Sequence, residues 1–336
     1  MAHGVFGART TRATLIALTL MAAGLLLAAW LIVHRPYAVD PDELVLVPLS
    51  EEDSSLEQVG DLRYLGGIDI PRLGQNIGGL SGLRWDAESG RLLALTDDAR
   101  WVWIAVRERD GRLVGIGEVT SGPLVGLDGE ILSGKEAGDS EALTRSAQGG
   151  WLVAFERDHR VWRYPTLSGR PVATEIDPIA LLGGFEENRG VETLAGDETE
   201  FFLCAERWSG PDDSGNCIRQ LAGADPEQVM VSPQGALFEF GATPTDADYG
   251  SDGSLYLLFR SYSPGDGAGA EIVLDNPEEG RRALITLRPP LTVDNFEGLA
   301  VREEDERTFL YIVSDDNFSS NQRTLLMKFE VMPQSE

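Results

Sequence analysis

Histidine and cysteine are scarce here, three and two among 336 residues. Only His159 follows residue 34, so neither a multi-histidine zinc site nor a facial triad for iron can be assembled. His159, in ERDHRVWRY, reads as a turn residue. The two cysteines, Cys204 and Cys217, exclude a zinc module and a disulfide-dense mini-fold, leaving one disulfide or two thiols. Basic residues are few as well, 28 against 55 acidic, for a formal charge of -27. That balance opposes the basic surface that neutralises phosphate backbones, which excludes nucleic acid as a partner, and it attracts divalent cations. No G-x-S-x-G elbow occurs, since GGLSGL from Gly78 lacks the final glycine, so a serine triad is not expected. SPGDGAGAE from Ser263 is neither a dinucleotide fingerprint nor a P-loop and reads as a mobile loop.

One long apolar run is present. Ala13 to Val33, ATLIALTLMAAGLLLAAWLIV, carries no charge and as a helix would cross the roughly 30 Å hydrocarbon core of a bilayer. Arg9 and Arg12 precede it and Asp40, Asp42 and Glu43 follow, which keeps the N-terminus cytoplasmic. The run is longer than a cleavable signal and no good small-x-small site follows it. The expectation is a cytoplasmic stretch over 1–12, a single-pass signal anchor over 13–33, a linker over 34–60, a domain over 61–331 in the periplasm or another extracytoplasmic space, and a tail over 332–336. An oxidising compartment would let Cys204 and Cys217 pair.

Beyond the linker no long helical periodicity appears, and Gly and Pro punctuate short apolar runs. Five segments resemble one another: GGLSGLRWD, DSEALTRS, GVETLAGD, TDADYGSDG and NFEGLAVRE, anchored at Ser81, Glu141, Glu192, Asp246 and Glu297. Their spacings of 60, 51, 54 and 51 residues suit the blades of a propeller. Each precedes a continuous apolar strand, RLLALTDD, WLVAFER, EFFLCAER, SLYLLFR or TFLYIVSDDN, as expected for strands covered on both faces. The last unit has only three strands, ending in TLLMKFEV, and RYLGGIDIP from Arg63 has no blade of its own. The sequence thus predicts an all-β propeller of about five four-stranded blades, with six as the alternative, closed by pairing the N- and C-terminal strands. Trp101, Trp103, Trp151, Trp162 and Trp208 read as packing between blades.

Antiparallel order brings the start of each inner strand and the end of the next strand to one face. Asp139, Glu141, Glu192, Asp246, Asp248, Asp294 and Glu297 then share the channel mouth with Asp97, Asp98, Glu156, Arg157, Glu206, Arg207, Arg260, Asp315, Asp316 and Asn317. So many carboxylates need cations, protons or arginines beside them, and oxygen donors alone suit Ca²⁺. Glu141, Glu192, Asp246 and Glu297 are the expected metal ligands. Arg157, Arg207 and Arg260, at equivalent positions in three successive units, are the expected anion holders. Asp315 or Asp316, with Glu297, would do the catalytic work on water. The same residues could instead tie blade to blade.

YLGGIDI, GGLSGLRWD, GDSEAL, WLVAFERDHRVWRY, GVETLA and LLFRSYSP, and above all DNFEGLA with YIVSDDNFSSNQRTLLMKFE, resemble the phytase-like family named for the esterase-like activity of phytase. The resemblance covers about residues 61–331. It implies an exported bacterial β-propeller that hydrolyses phosphate or other esters with calcium, metal-bound water being the nucleophile. The expected partners are a small-molecule ester or phosphoester and the membrane. A non-catalytic module binding an envelope ligand or protein is the alternative, and a lactonase-like one-metal hydrolase a third reading.

Overall fold

The computed structural model describes residues 15–16, 18–19, 21, 37–38, 44–71, 78–183, 189–206, 217–237, 242–319 and 321–333. Five antiparallel sheets form the blades. Blade 1 runs Leu80–Asp86, Arg91–Thr96, Arg100–Arg109 and Arg112–Pro123 from inside to outside, with Tyr37–Ala38 added at its rim. Blade 2 is Ser140–Arg145, Trp151–Phe155, Arg160–Tyr164 and Val172–Ala173. Blade 3 is Val191–Gly196, Phe201–Ala205, Cys217–Gln220 and Glu227–Val229. Blade 4 is Thr243–Tyr249, Leu255–Ser263, Gly267–Asn276 and Gly280–Leu287. Blade 5 is Phe296–Glu304, Arg307–Ser314 and Thr324–Val331, completed by Leu62–Ile70, on which Val45–Val47 and Gln58–Val59 also pair.

The inner strands touch in the cyclic order of blades 1, 2, 3, 4, 5 and back to 1. Closure is as expected: Thr324 pairs with Ile70 and Val331 with Leu62. The N-terminal strand thus supplies the fourth strand of blade 5 and covers the outer edge that Thr324–Val331 would otherwise leave unpaired.

Alternation along each second strand explains why those strands read as continuously apolar. Leu92 and Ala94 pack towards blade 5, whereas Leu93 and Leu95 pack towards blade 2. The remaining seams repeat this, between blades 2 and 3, 3 and 4, and 4 and 5. Trp101 and Trp151, with Trp103 and Trp162 at the margin, fill the seam of blades 1 and 2; Trp208 lies outside the described residues.

One expectation needs amendment. SPGDGAGAE is no free loop: Ser263 pairs with Gly267 and the segment caps a long hairpin in blade 4. Most of the 13–33 run lies outside the described residues, and among those described no helix is long and apolar enough to cross a membrane.

Cys204 and Cys217 are directly opposed on neighbouring strands of blade 3 and form a disulfide. Closing a loop of this length is worth about 3 kcal/mol. Thermal melting of the Cys204→Ala/Cys217→Ala protein should fall accordingly, by roughly 6–12 °C; an unchanged melting temperature would show that the bond stabilises nothing.

Candidate functional site

A β-bulge interrupts every inner strand at the same place. The extra, unpaired residue is Gly82 in blade 1, Glu141 in blade 2, Glu192 in blade 3, Thr245 in blade 4 and Glu297 in blade 5. Bulges re-aim side chains; here they give a ring of three glutamates. Gly82 contributes nothing to it, because its φ is +50° and a Cβ would lie 2.8 Å from Leu143. Thr245 donates to the Phe296 carbonyl at 3.2 Å.

The repeat anchors Ser81 and Asp246 are thus one residue out of register, and on a strand one residue changes the face. Asp246 does not join the glutamates. It is fully buried and accepts from the backbone N–H of Leu83 (3.0 Å) and of Leu299 (2.8 Å). Its two oxygens each lie 3.0 Å from Arg84 Nη1. Arg84, also buried, donates onward to the carbonyls of Leu194 (2.6 Å), Ala247 (2.6 Å) and Leu299 (3.0 Å), and Asp248 lies 3.6 Å from it. One guanidinium therefore joins the inner strands of blades 1, 3, 4 and 5. The sequence reading passed over Arg84, although it stands where the other repeats carry Leu143, Leu194, Ala247 and Leu299.

The second strands end beside the ring. The first residue past each bulge-facing pair is Thr96, Glu156, Glu206, Arg260 or Asp315, and the next, among the described residues, is Asp97, Arg157, Ser261 or Asp316. Arg260 is hence not equivalent to Arg157, as the sequence suggested: it occupies a carboxylate position within the ring. Its Nη1 lies 3.1 Å from Glu297 and its Nη2 3.5 Å from Glu206. Asn295 fixes the pair, accepting from Arg260 at 2.8 Å and donating to Glu297 at 2.7 Å. Arg157 donates to Asp139 at 2.7 Å, and Lys135 bridges Asp97 (2.9 Å) and Asp139 (3.5 Å). Arg207 lies outside the described residues.

Ligand oxygens of Asp139, Glu141 and Glu156 lie within 4.8 Å of one another, an acidic group able to hold a metal ion. Glu141 is the member that sequence spacing had assigned to metal; Asp139 and Glu156 had been placed only on its face. Asp139 is almost wholly buried, and its Oδ1 receives no hydrogen bond among the described residues, with Lys135 Nζ 3.5 Å away as its ion-pair partner. Glu156 accepts from the Gly190 N–H at 2.8 Å.

Charge crowding is visible in the acidities. Burial, with Glu192, Asp139 and Glu297 around it, holds Glu141 well above the carboxylate range, and burial beside Glu297 does the same for Glu192. Burial raises Glu297 too, with Arg260 opposing. Burial pushes Glu156 up to about 7, and burial together with Glu297 pushes Asp315 up to about 8. Asp316 is engaged otherwise, its Oδ1 accepting from the N–H groups of Gly79 and Phe318, both at 3.0 Å. Asp98 accepts from Thr96, and Asp294 lies 3.2 Å from Arg323, so neither belongs to the ring. His159 sits in the turn after the second strand of blade 2, as expected.

No curated protein matches the chain at a significant level. Among solved structures, the catalytic domain of the Coprinopsis cinerea GH62 α-L-arabinofuranosidase is 14% identical, with 85% of this chain and 100% of that chain covered at a TM-score of 0.42. An α-L-arabinofuranosidase from Podospora anserina is 13% identical over 78% and 93%, at 0.40. The Myceliophteria thermophila Cps50 (Swd1) β-propeller domain is 10% identical over 80% and 92%, at 0.37. Likenesses this distant carry nothing about substrate or residue roles. The family model for phytase-like proteins, described as "Esterase-like activity of phytase", matches residues 75–318. That span runs from the first inner strand to the acidic turn of blade 5, and the chain belongs to the phytase-like family.

Proposed function

We propose that the chain is a membrane-anchored, extracytoplasmic hydrolase of esters, phosphoesters foremost, working with calcium at the channel mouth. One observation carries this reading: Asp139, Glu141 and Glu156 converge within 4.8 Å in a ring whose carboxylates outnumber the described basic groups, Lys135, Arg157 and Arg260. The donors are all oxygen, which fits a hard cation with about 6–8 ligands. Glu192 and Glu297 complete the acidic wall.

Bound there, the cation would supply Lewis acidity and a more acidic water. Arg157 and Arg260 leave 25% and 26% of their side chains exposed, so both can reach the anionic part of a substrate. Asp315 keeps its proton until about pH 8. It therefore serves at neutral pH as the acid towards a leaving oxygen, not as the base on water. Asp316, occupied by two backbone donors, positions the turn.

The test is hydrolysis of para-nitrophenyl phosphate and para-nitrophenyl acetate by the full chain, with calcium and with chelator. Calcium-dependent turnover that drops at least about a hundredfold in Glu141→Gln and in Glu297→Gln, with melting temperature retained, is the expected result. Normal rates in both variants would sink the assignment. The pairing of Asp139 with Arg157 and Lys135, and of Glu297 with Arg260, supports a binding module as the second reading. A calcium-dependent melting shift without any turnover would select it.

A further inference from the structure

The turn that carries Asp315 and Asp316 also carries an exposed aromatic ring. Phe318 is 42% exposed, and it and Asn317 both adopt left-handed backbone, with φ of 49° and 47°. Two successive non-glycine residues in that region carry a conformational cost. The cost is met locally: Asp315 accepts from the Asn317 N–H at 2.7 Å, and Asp316 accepts from the Phe318 and Gly79 N–H groups. The ring lies across Gly78 and Gly79, where a Cβ would come within 3.1 and 2.6 Å of it, so side chains there would displace it. A carboxyl of the acidic mouth thus fixes an aromatic face that packing does not bury. Other large exposed apolar residues emerge at this same end of the blades: Leu127 and Ile131 in the hairpin after blade 1, Ile179 after blade 2, and Tyr262 near the end of the second strand of blade 4.

We propose that Phe318 is a wall of the substrate site and that the substrate class is an ester whose anionic head lies over the carboxylate ring while a planar apolar group stacks on Phe318. This rests on the hydrolase reading above. An aromatic face gains from stacking on a planar group and gains little from a methyl-sized one. Aryl phosphoesters are therefore preferred to alkyl ones.

Binding of phenylphosphonate and methylphosphonate, which cannot be hydrolysed, is measured by calorimetry on the full chain with calcium. Phenylphosphonate should bind about tenfold tighter to the parent chain and to Phe318→Tyr. Phe318→Ala should lose that gap while binding methylphosphonate and calcium as the parent does. No phenyl preference in the parent, no binding of either phosphonate, or a preference that survives Phe318→Ala would overturn the proposal. Turnover of phenyl phosphate is measured beside it: a phenyl preference without turnover leaves Phe318 as a recognition wall and removes only the hydrolase reading.

Discussion

Replacing Arg84 with methionine should abolish the folded ring at 37 °C. The change removes the cation from Asp246, which has no exposed surface, and leaves the carbonyls of Leu194, Ala247 and Leu299 without their donor. Stranding one partner of a buried pair costs about 3–5 kcal/mol, and each unmet carbonyl about 1–3 kcal/mol more. Their sum reaches the whole stability of an ordinary domain. Arg84→Lys should fare little better, because one ammonium cannot match a planar fork that reaches four blades. Asp246→Asn should be milder, since an amide oxygen in the place of Oδ2 still accepts from both Leu83 and Leu299. Circular dichroism and analytical gel filtration decide the matter: a folded Arg84→Met protein melting within a few degrees of the parent would show that the axis does not depend on this residue.

The second large effect is a stability that falls as pH rises, and that calcium reverses. Glu156 and Asp315 hold their protons up to about 7 and 8 in the folded chain, with Glu141 and Glu192 raised as well, whereas carboxyls of an unfolded chain lose theirs near 4. Between these limits the folded state binds more protons. Its advantage is complete below about pH 4 and is lost as pH rises through the folded values. Groups shifted the other way act elsewhere: despite burial, Arg219 and Arg281 hold Asp275 low, and Lys328 and Arg302 hold Glu108 low, so their contribution fades only in acid. In chelator, the melting temperature should therefore drop by roughly 5–10 °C between pH 5 and 8, a few kcal/mol on a domain of this size. Calcium should flatten the profile and release protons on binding near pH 7, read by calorimetry in buffers of different ionisation enthalpy. A flat profile in chelator would mean that the ring is already neutralised by its arginines and lysine.

The blades were legible because each second strand is apolar on both sides, a pattern that survives without knowledge of the neighbours. Closure was legible too, since Leu62–Ile70 and Thr324–Val331 were each a strand without a complete sheet. The site was legible only to within one residue. A bulge adds a residue without changing the apolar rhythm around it, so matching the polar residues of the repeats selected Asp246 and Ser81 in place of Thr245 and Gly82. Matching instead on the pairs that follow, Leu83 and Arg84, Ala142 and Leu143, Thr193 and Leu194, Asp246 and Ala247, Gly298 and Leu299, gives the observed register. It also exposes Arg84 as the one charge in an apolar column. The likeness of Arg157 to Arg260 failed for the same reason: each follows a similar apolar strand, but they fall at successive positions of the turn.

The pairing of Leu62–Ile70 with Thr324–Val331 also dictates when the protein can finish folding. The first of these strands leaves the ribosome some 250 residues before its partner. At about 5–20 residues per second that is an interval of roughly ten to fifty seconds. Throughout it, the backbone edge of Leu62–Ile70 has no mate from blade 5, and blades 1 to 4 stand as an open arc. A chain secreted while it is made would pass through this stage outside the membrane, where an unpaired edge invites association with a second chain. Ring closure thus waits for Thr324–Val331, and a nascent chain stalled short of residue 324 leaves that edge without its mate.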